Sequence, residues 1–475
     1  MLTNERIGGY NTDSPKRIAN LFFALVLFFG MLLIFIEPPL VVPDENTHFL
    51  NICRIYHGSL FANIENNVEG SRITAEEYDF IVSYQGIYNG EDNPTRFDYA
   101  TMRELSKRSV SQDMVLMKSD LSEINPAAYM VPVVGVILGR VFLGSLNAYA
   151  ILIISKITNL IFYGAIVRLA ILRTGAFRNT MFLLALMPMS IFQAASASYD
   201  VMLIAGSLLL FAEVTRILLN DEITQIGKDN IVLVCVACVF LISVKIAYAP
   251  LILILLSIPV KKFGGWKKWG FCAGMIVALG AVFWLIPTIV TYVRSIIEPN
   301  PILAEQKAYV LAHPSAFPKA IFHSFKHFGG YWLETYFGIL GWLDTYFPTA
   351  FFRLFIMLSS LVALVEACDI VKVSWKVRVL AAIGIFVFIV GTFYTVYLQW
   401  NPILVGIIGG NLIYGIQGRY FIPIALLFVL IFSNPLLKKI KYRDAIYNIV
   451  ARIVPCISLC YLTFTVALLV IRYWI

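Results

Sequence analysis

The sequence predicts an all-α protein that crosses a lipid bilayer many times, and three features support this prediction. The chain has 475 residues, of which 59% are hydrophobic and only 14% are charged. Its mean hydropathy is +0.78, whereas a water-soluble domain carries about 25% charged residues. Apolar runs that approach or exceed the roughly 20 residues of a transmembrane helix recur along the whole chain.

Positively charged loops predict how the helices are oriented. The formal net charge of +8 comes mostly from short loops between apolar runs, which indicates cytoplasmic loops and not a nucleic-acid surface. Arg6, Lys16 and Arg17 precede the first run, so the N-terminus is predicted to be cytoplasmic. No cleavage site of the A-x-A type follows this run, which predicts an uncleaved first helix.

The alternation of apolar runs and basic loops predicts about 10–12 transmembrane helices and two large external loops. The basic loop RTGAFRNT is predicted to be cytoplasmic, like the loops with Lys372 and Lys438. A full crossing at 129–146 would break the alternation of sides, so this segment is predicted to be a re-entrant or interfacial hairpin. Basic loops flank run 231–260, which predicts two short crossings that turn near Lys245. The predicted segments are the cytoplasmic N-terminus and first helix at 1–42, the first external loop with juxtamembrane or re-entrant helices at 43–147, the transmembrane core at 148–293, the second external loop at 294–349 and the C-terminal helices at 350–475.

The first candidate site is the acidic motif PDENTHF at 43–49, at the predicted outer mouth of the first helix. Asp44 and His48 are four residues apart and therefore share one face of a following helical turn. A carboxylate there, from Asp44 or Glu45, suits a general base or a metal ligand. An acid that caps a helix N-terminus explains the same spacing, and both interpretations stay open.

Two further motifs place polar residues at the predicted outer ends of helices. SASYD at 196–200 ends in Asp200, which opens the next helix and is also explained as an N-cap. GIQGRYFIP at 415–423 contains Arg419, whose guanidinium fork suits a phosphate group. Snorkelling toward the membrane surface is the structural alternative, but an external Arg runs against the positive-inside bias and favours a function.

Lys245 is the clearest charge within an apolar run, in the sequence SVKIAYAP that also contains Tyr248. A basic side chain at membrane depth costs roughly 2.5–3.5 kcal/mol, which either an anionic ligand or snorkelling to lipid phosphate would offset. In the second external loop, LGWLDTYFP at 340–348 predicts a tight aromatic turn. Its Trp342 suits either stacking on a sugar ring or an interfacial aromatic belt.

The order of these motifs resembles a known architecture. PDENTHF, SYD, LGWLDTYFP and GIQGRYFIP resemble a bacterial family of multi-pass membrane proteins described as a domain of unknown function. The acidic motif after the first helix, the large first external loop and the short helix pair around SVKIAYAP are also similar to the GT-C superfamily of membrane glycosyltransferases. The resemblance covers nearly the whole chain and implies a GT-C-like helix bundle.

The resemblance also implies an activity. Such an enzyme transfers one sugar from a polyprenyl-phosphate-linked donor, such as an undecaprenyl phosphate sugar, to a cell-envelope glycan or glycolipid. The protein would lie in the inner (cytoplasmic) membrane, with its active site on the extracytoplasmic side and its donor's prenyl tail in the bilayer. An external carboxylate would accept the acceptor's proton, and a cation would stabilise the departing phosphate.

The resemblance assigns roles by position. Asp44 is similar to the catalytic acid of the first external loop, with Glu45 as the alternative. Asp200 is similar to a second-loop acid that holds a divalent metal in some relatives. Those relatives often carry DxD where this chain has SYDVM, so a divalent metal stays open and no metal ligand is predicted. The residues predicted to bind substrate are His48, Tyr199, Asp200, Lys245, Tyr248, Trp342, Asp344, Gln417, Arg419 and Tyr420.

Two other functions fit part of this pattern. A transporter or flippase of polyprenyl-linked saccharides would use the same phosphate-binding cations, but it predicts intramembrane charges along a path between the leaflets. Apart from Lys245, the sequence offers few, with Glu213 and Glu366 near predicted cytoplasmic ends. An envelope polysaccharide polymerase or ligase is closer in chemistry and would differ by an oligosaccharide donor.

Overall fold

Helices dominate the computed structural model, which describes residues 14–65, 68–118, 125–297, 300–369, 373–436 and 439–475. Arg6, Lys372 and Lys438, used above to predict topology, lie outside the described residues. The α-helices are α1 Ser14–Ile36, α2 Glu45–Tyr56, α3 Ala75–Tyr84, α4 Tyr99–Ser106, α5 Met130–Leu143, α6 Ala148–Arg173, α7 Arg178–Ala185, α8 Pro188–Ala194, α9 Asp200–Leu219, α10 Lys228–Val244, α11 Trp266–Ile297, α12 Pro301–Ala312, α13 Ala316–Phe337, α14 Thr349–Asp369, α15 Trp375–Thr395, α16 Asn401–Val405, α17 Ala425–Ile431 and α18 Arg443–Tyr473. Four 3-10 segments and a π turn complete the helical structure, at Pro126–Tyr129, Ile246–Ser257, Val260–Phe263, Gly418–Ile424 and Val396–Trp400.

The predicted all-α polytopic fold is confirmed. In the described part of the chain, eight helices are long and apolar enough to cross a membrane: Pro15–Ile36, Pro126–Leu143, Ala148–Arg173, Asp200–Leu219, Trp266–Val290, Thr349–Asp369, Trp375–Val405 and Arg443–Tyr473. Shorter apolar helices at Ile246–Ser257 and Gly418–Ile431, together with α10, occupy positions where the sequence predicts further crossings.

Prolines explain where several apolar runs break. α1 ends at Ile36, just before Pro38 and Pro39, because proline lacks the N–H that continues a helix and restricts the residue before it. The run at 181–197 contains two helices and not one, since Pro188 starts α8 after an extended Met187. α10 ends at an extended Lys245, so the apolar run breaks at the residue where the sequence predicts a bend.

The centre of the bundle is a row of helices in which α1 packs on α6, α6 on α9 and α9 on α10. Gly30 allows α1 to approach α6 closely, because a Cβ at this position would lie 2.2 Å from Leu160 Cδ1. α9 also contacts α8 and the segment Gly418–Ile424. These contacts bring the start of α9 next to two of the polar motifs.

A small sheet lies in the predicted first external loop. It has three antiparallel strands, β1 Asn63–Glu65, β2 Val68–Thr74 and β3 Met114–Lys118, with β2 in the middle. Asn63 pairs with Gly70 and Thr74 with Met114. Thr74 and Glu77 then form a capping box that begins α3, as this residue pair does at many helix N-termini. The first loop is therefore a folded unit.

The predicted hairpin at 129–146 is wrong. α5 and the preceding turn form one continuous apolar helix, with no reversal between Pro126 and Leu143. Tyr129 at its start contacts His48, and Arg140 near its end donates a hydrogen bond to the Tyr56 hydroxyl at 3.0 Å. Both partners lie in α2, so α5 runs alongside α2. Hydropathy and loop charge do not distinguish a hairpin from a juxtamembrane helix, since the two have the same composition.

Candidate active site

Four separate parts of the chain meet around the guanidinium group of Arg419. Arg419 Nη2 lies 3.2 Å from Asp44 Oδ2, and Arg419 Nε lies 3.4 Å from Asp200 Oδ2. Lys245 Nζ lies 3.9 Å from the other oxygen of Asp200. The predicted meeting of the PDENTHF, SYD and GIQGRYFIP motifs is therefore found in the structure, and the turn at Lys245 joins them. We call Asp44, Asp200, Lys245 and Arg419 the charged cluster.

Asp44 has an uncommon backbone conformation for a residue other than glycine. Its φ is 65° and its ψ 8°, in the left-handed region, which Asn and Asp tolerate better than most residues. It precedes α2, but its side chain makes no capping hydrogen bond. The carboxylate faces Arg419 and is 51% exposed. The capping interpretation is therefore not supported, and Asp44 is the accessible acid of the cluster.

Asp200 is the first residue of α9, and Tyr199 is the N-cap residue. Its side chain is 10% exposed and lies between Arg419 and Lys245. The Asp200 backbone N–H donates to Ser198 Oγ at 3.1 Å, which fixes the turn before the helix. Asp200 thus holds two cations side by side.

Aromatic rings surround the cations. Lys245 Nζ lies 5.0 Å from the ring centre of Tyr199 and 4.4 Å from that of Tyr420, within the range of cation–π contacts. The Tyr248 hydroxyl donates to the backbone carbonyl of Tyr420 at 3.0 Å. Together these contacts fix the ammonium group and the backbone beside Arg419.

His48 is a buried neighbour of the cluster. Its Nδ1 is hydrogen-bonded to the Tyr129 hydroxyl at 2.8 Å, and its ring packs edge-on against Tyr199 at 4.5 Å. Burial lowers the pKa of His48 from 6.5 to about 4, against the opposing effect of Asp44. The imidazole is therefore neutral at physiological pH. Sequence reasoning missed Tyr129, because a single Tyr at the start of an apolar helix is ordinary.

Arg419 is almost completely buried, with 5% of its side chain exposed. Gly418 allows this arrangement, since a Cβ there would lie 1.8 Å from the backbone oxygen of Trp332 in α13. Within the described residues, Arg419 Nη1 has no hydrogen-bond partner. A buried donor without a partner is costly, so this N–H is available to an anionic ligand.

Glu45, the predicted alternative to Asp44, has a different environment. It is 0% exposed, lies 3.1 Å from Lys156 Nζ and accepts a hydrogen bond from the Ala197 N–H at 3.0 Å. Sequence reasoning missed Lys156, although a lysine inside the apolar run of α6 is a signal for function. The geometry favours Asp44 over Glu45 as the residue that meets a substrate.

The other predicted substrate-binding residues have separate contacts. Asp344 accepts a hydrogen bond from the Gly90 N–H at 2.7 Å and lies 3.8 Å from Arg472, so it ties its turn to the first loop. The predicted tight turn is present, closed by hydrogen bonds between Leu340 and Thr345. Trp342 is half-buried in that turn. Gln417 directly precedes the Gly418–Ile424 segment.

The charged cluster does not fit a divalent metal. Its two carboxylates are held by two cations, and no group of three or more His, Cys, Asp or Glu residues suited to a metal occurs among the residues that the structure describes. The negative charges of Asp44 and Asp200 balance the positive charges of Arg419 and Lys245, and the neutral His48 adds no charge. An anion that contacts Arg419 and Lys245 would therefore compete with Asp44 and Asp200.

The fold and this cluster define a polytopic membrane protein with a polar, partly buried site where several of its helices begin. The chain belongs to the DUF2142 family of predicted membrane proteins, whose sequence profile matches residues 27–428. PDENTHF, SYD, LGWLDTYFP and GIQGRYFIP all lie inside the matched range. Searches of curated proteins and of solved structures found none that match the chain.

Proposed function

We propose that the protein is a membrane glycosyltransferase that moves a sugar from a polyprenyl-phosphate-linked donor to a cell-envelope glycan or glycolipid. The observation that carries this proposal is the position of Arg419 between Asp44 and Asp200, at 3.2 and 3.4 Å. The guanidinium group of Arg419 contacts two carboxylates: the accessible Asp44 and the buried Asp200, which also pairs with Lys245. This arrangement provides both a base and a phosphate-binding group in one place.

The donor phosphate binds Arg419 and Lys245 in this proposal. Arg419 has a free Nη1 donor in the described structure, and the two cations share Asp200, so both can reach one phosphate. A phosphate that binds the free Nη1 and also reaches Nη2 displaces the Asp44 carboxylate from Nη2, because a guanidinium group binds phosphate through two N–H groups at once. Donor binding then frees Asp44 for the acceptor.

The transfer step is a displacement at the anomeric carbon of the donor sugar. The acceptor hydroxyl oxygen forms a bond to this carbon, while the bond from the carbon to the phosphate oxygen breaks. The electron pair of that bond stays on the polyprenyl phosphate, whose charge Arg419 and Lys245 stabilise. The Asp44 carboxylate accepts the proton of the acceptor hydroxyl.

An apolar cavity that reaches Ile246, the residue after Lys245, supports a lipid-linked donor. It has a volume of about 470 Å³ and lies between α10, the segment Ile246–Ser257 and α11. Ile246, which directly follows Lys245, lines it together with Leu253, Cys272 and Trp284. A prenyl chain that enters this cavity would leave its phosphate next to Lys245.

The predicted topology supports an inner-membrane enzyme whose site faces away from the cytoplasm. Asp44 and Asp200 both follow runs that are predicted to run outward. Arg173, the last residue of α6, forms ion pairs with Glu213 and Asp229. These residues lie next to the basic loop that is predicted to be cytoplasmic. The sugar would therefore be transferred after its lipid carrier has reached the outer leaflet.

The test is incubation of the purified protein in lipid nanodiscs with labelled polyprenyl phosphate sugars and a cell-envelope extract. We expect label to move to the extract in wild type and not in Asp44→Asn. Movement of intact donor across a vesicle bilayer without transfer would instead indicate a transporter. A requirement for a lipid-linked oligosaccharide would indicate a polymerase or ligase.

A further inference from the structure

A buried ion pair behind the charged cluster links the two turns that carry its acids. Lys156, in the middle of α6, lies 3.1 Å from Glu45 Oε1 and 3.9 Å from Glu37 Oε2. The exposed fraction is 1% for Lys156, 0% for Glu45 and 3% for Glu37. Burial of three ionisable groups is costly unless they are paired and have a purpose.

Glu45 makes two contacts with one oxygen. Its Oε1 binds Lys156 and also accepts the hydrogen bond from the Ala197 N–H. Glu45 directly follows Asp44, and Ala197 lies in the turn that leads to Asp200. One buried carboxylate therefore connects the start of α2 to the turn before α9, close to both acids of the cluster.

α6 holds the second turn from the same side. Asn159, one helical turn after Lys156, donates hydrogen bonds to the carbonyl oxygens of Ser196 and Ser198 at 2.9 and 3.2 Å. The turn before Asp200 is thus fixed to α6 by Asn159 and to α2 through Glu45. Lys156 holds the Glu45 carboxylate in place between them.

We propose that Glu45 and Lys156 are positioning residues, whose buried ion pair sets the distance between Asp44 and Asp200 so that both can contact Arg419. Glu45 does not act as a base, because its side chain is fully buried and does not reach a substrate, and its Oε1 is held by Lys156 and the Ala197 N–H. The left-handed backbone of Asp44 directs the two neighbouring acids differently, one to Arg419 and one to Lys156.

Glu37 provides a matched control on the same lysine. Burial raises the pKa of the Glu37 carboxyl well above its usual value, against the opposing effect of Lys156. Both Glu37 oxygens lack hydrogen-bond partners in the described structure. Glu37→Gln therefore keeps the shape of a side chain that accepts no hydrogen bond, and Lys156 keeps its contact with Glu45.

The test uses Glu45→Ala, Glu45→Gln and Glu37→Gln, with two measurements. Hydrogen exchange at the Ala197 amide should rise about tenfold or more in Glu45→Ala, because the amide loses its acceptor. Exchange should stay near the wild-type rate in Glu45→Gln, whose amide oxygen still accepts the bond, and in Glu37→Gln. This measurement does not depend on any activity.

Transfer activity is the second measurement, and it rests on the proposed function. We expect kcat/KM to fall about a hundredfold in Glu45→Ala, because small displacements of reacting groups are costly, and to fall less in Glu45→Gln, which keeps the acceptor for the Ala197 N–H but loses the charge that pairs with Lys156. Lys156→Met should also lower kcat/KM, and combining it with Glu45→Gln should cost less than the sum of the two, since paired groups are not additive.

Four outcomes decide the matter. An unchanged Ala197 exchange rate in Glu45→Ala would overturn the proposal, and so would equal losses of transfer in Glu45→Ala and Glu37→Gln. Full transfer in Glu45→Ala, despite faster exchange, would overturn the positioning role. If the variants show the expected exchange pattern but the wild type transfers no sugar, the proposed function is refuted and the link between the two turns is supported.

Discussion

Asp44→Asn separates the two roles that Asp44 has in the proposed mechanism. Asn keeps the shape of the side chain and tolerates the left-handed backbone, but it can neither accept a proton nor form an ion pair with Arg419. We expect kcat to fall by at least about a hundredfold, since a general base contributes roughly 10²–10⁴-fold. We also expect the donor lipid to bind more tightly, because Asp44 no longer competes for Arg419.

The size of the second effect follows from the geometry of the pair. At the observed 3.2 Å, two unit charges attract by about 5 kcal/mol at an effective dielectric constant of 20 and by about 1 kcal/mol in water. The Asp44 side chain is 51% exposed, so the value in water is the better guide. About 1 kcal/mol corresponds to a roughly fivefold lower Kd for the donor phosphate.

The assay measures binding of undecaprenyl monophosphate, which carries no sugar, to nanodisc-embedded wild type and Asp44→Asn. Asp113→Asn is the matched control, because Asp113 is an exposed acid of the same predicted loop. Weaker or unchanged binding by Asp44→Asn would refute the competition for Arg419. Near-normal transfer by the same variant would remove Asp44 from the role of base.

Three further predictions address Arg419, His48 and a structural acid. Arg419→Lys should raise the donor Kd about tenfold and leave acceptor binding unchanged, because a single ammonium cannot replace the guanidinium fork. Stability should fall as the pH drops from about 6.5 to 4, by up to about 3 kcal/mol, since the unfolded chain binds a proton at His48 that the folded chain does not. Glu366→Ala should lower Tm by at least about 5 °C, because it leaves the buried N–H groups of Asn179 and Thr180 without their acceptor.

Each of these predictions has its own control. An unchanged donor requirement in Arg419→Lys would count against the phosphate-binding role. Thermal unfolding between pH 7 and 4 measures the His48 effect, and His48→Gln should flatten that pH dependence; an equally steep curve would assign the effect to other groups. Glu366→Gln keeps an acceptor oxygen and should lose less than Glu366→Ala, so equal losses would contradict the hydrogen-bond explanation.

The sequence predicts the charged cluster because its members belong to motifs that stand out from an apolar background. Asp44 and Arg419 are 375 positions apart, yet the sequence predicts both at the outer ends of their helices. Hydropathy and loop charge predict where each helix ends and on which side of the membrane. Few polar residues lie at the outer ends, so those that do are conspicuous. The same reasoning predicted the break at Lys245, since basic loops on both sides require the chain to turn back.

The sequence does not predict the direction of neighbouring side chains or the course of α5. Asp44 and Glu45 are adjacent acids of similar chemistry, and only the left-handed backbone at Asp44 separates an accessible carboxylate from a buried one. α5 has the length and composition of a crossing helix, but its contacts at Tyr129 and Arg140 place it along α2. Such choices depend on tertiary packing, which a count of apolar residues does not contain.

The ion pair of Lys156 with Glu45 is buried on both sides, whereas the ion pair of Arg419 with Asp44 is buried only on the side of Arg419. A buried pair keeps its partners because neither charge can find water, so it suits a fixed link. A half-exposed pair exchanges easily with solvent or with another anion, so it suits a contact that a ligand must open. Glu45 and Asp44 are consecutive, which means that the fixed link lies directly behind the exchangeable one. Opening of the Arg419 contact can therefore release the Asp44 carboxylate without moving the backbone that carries it.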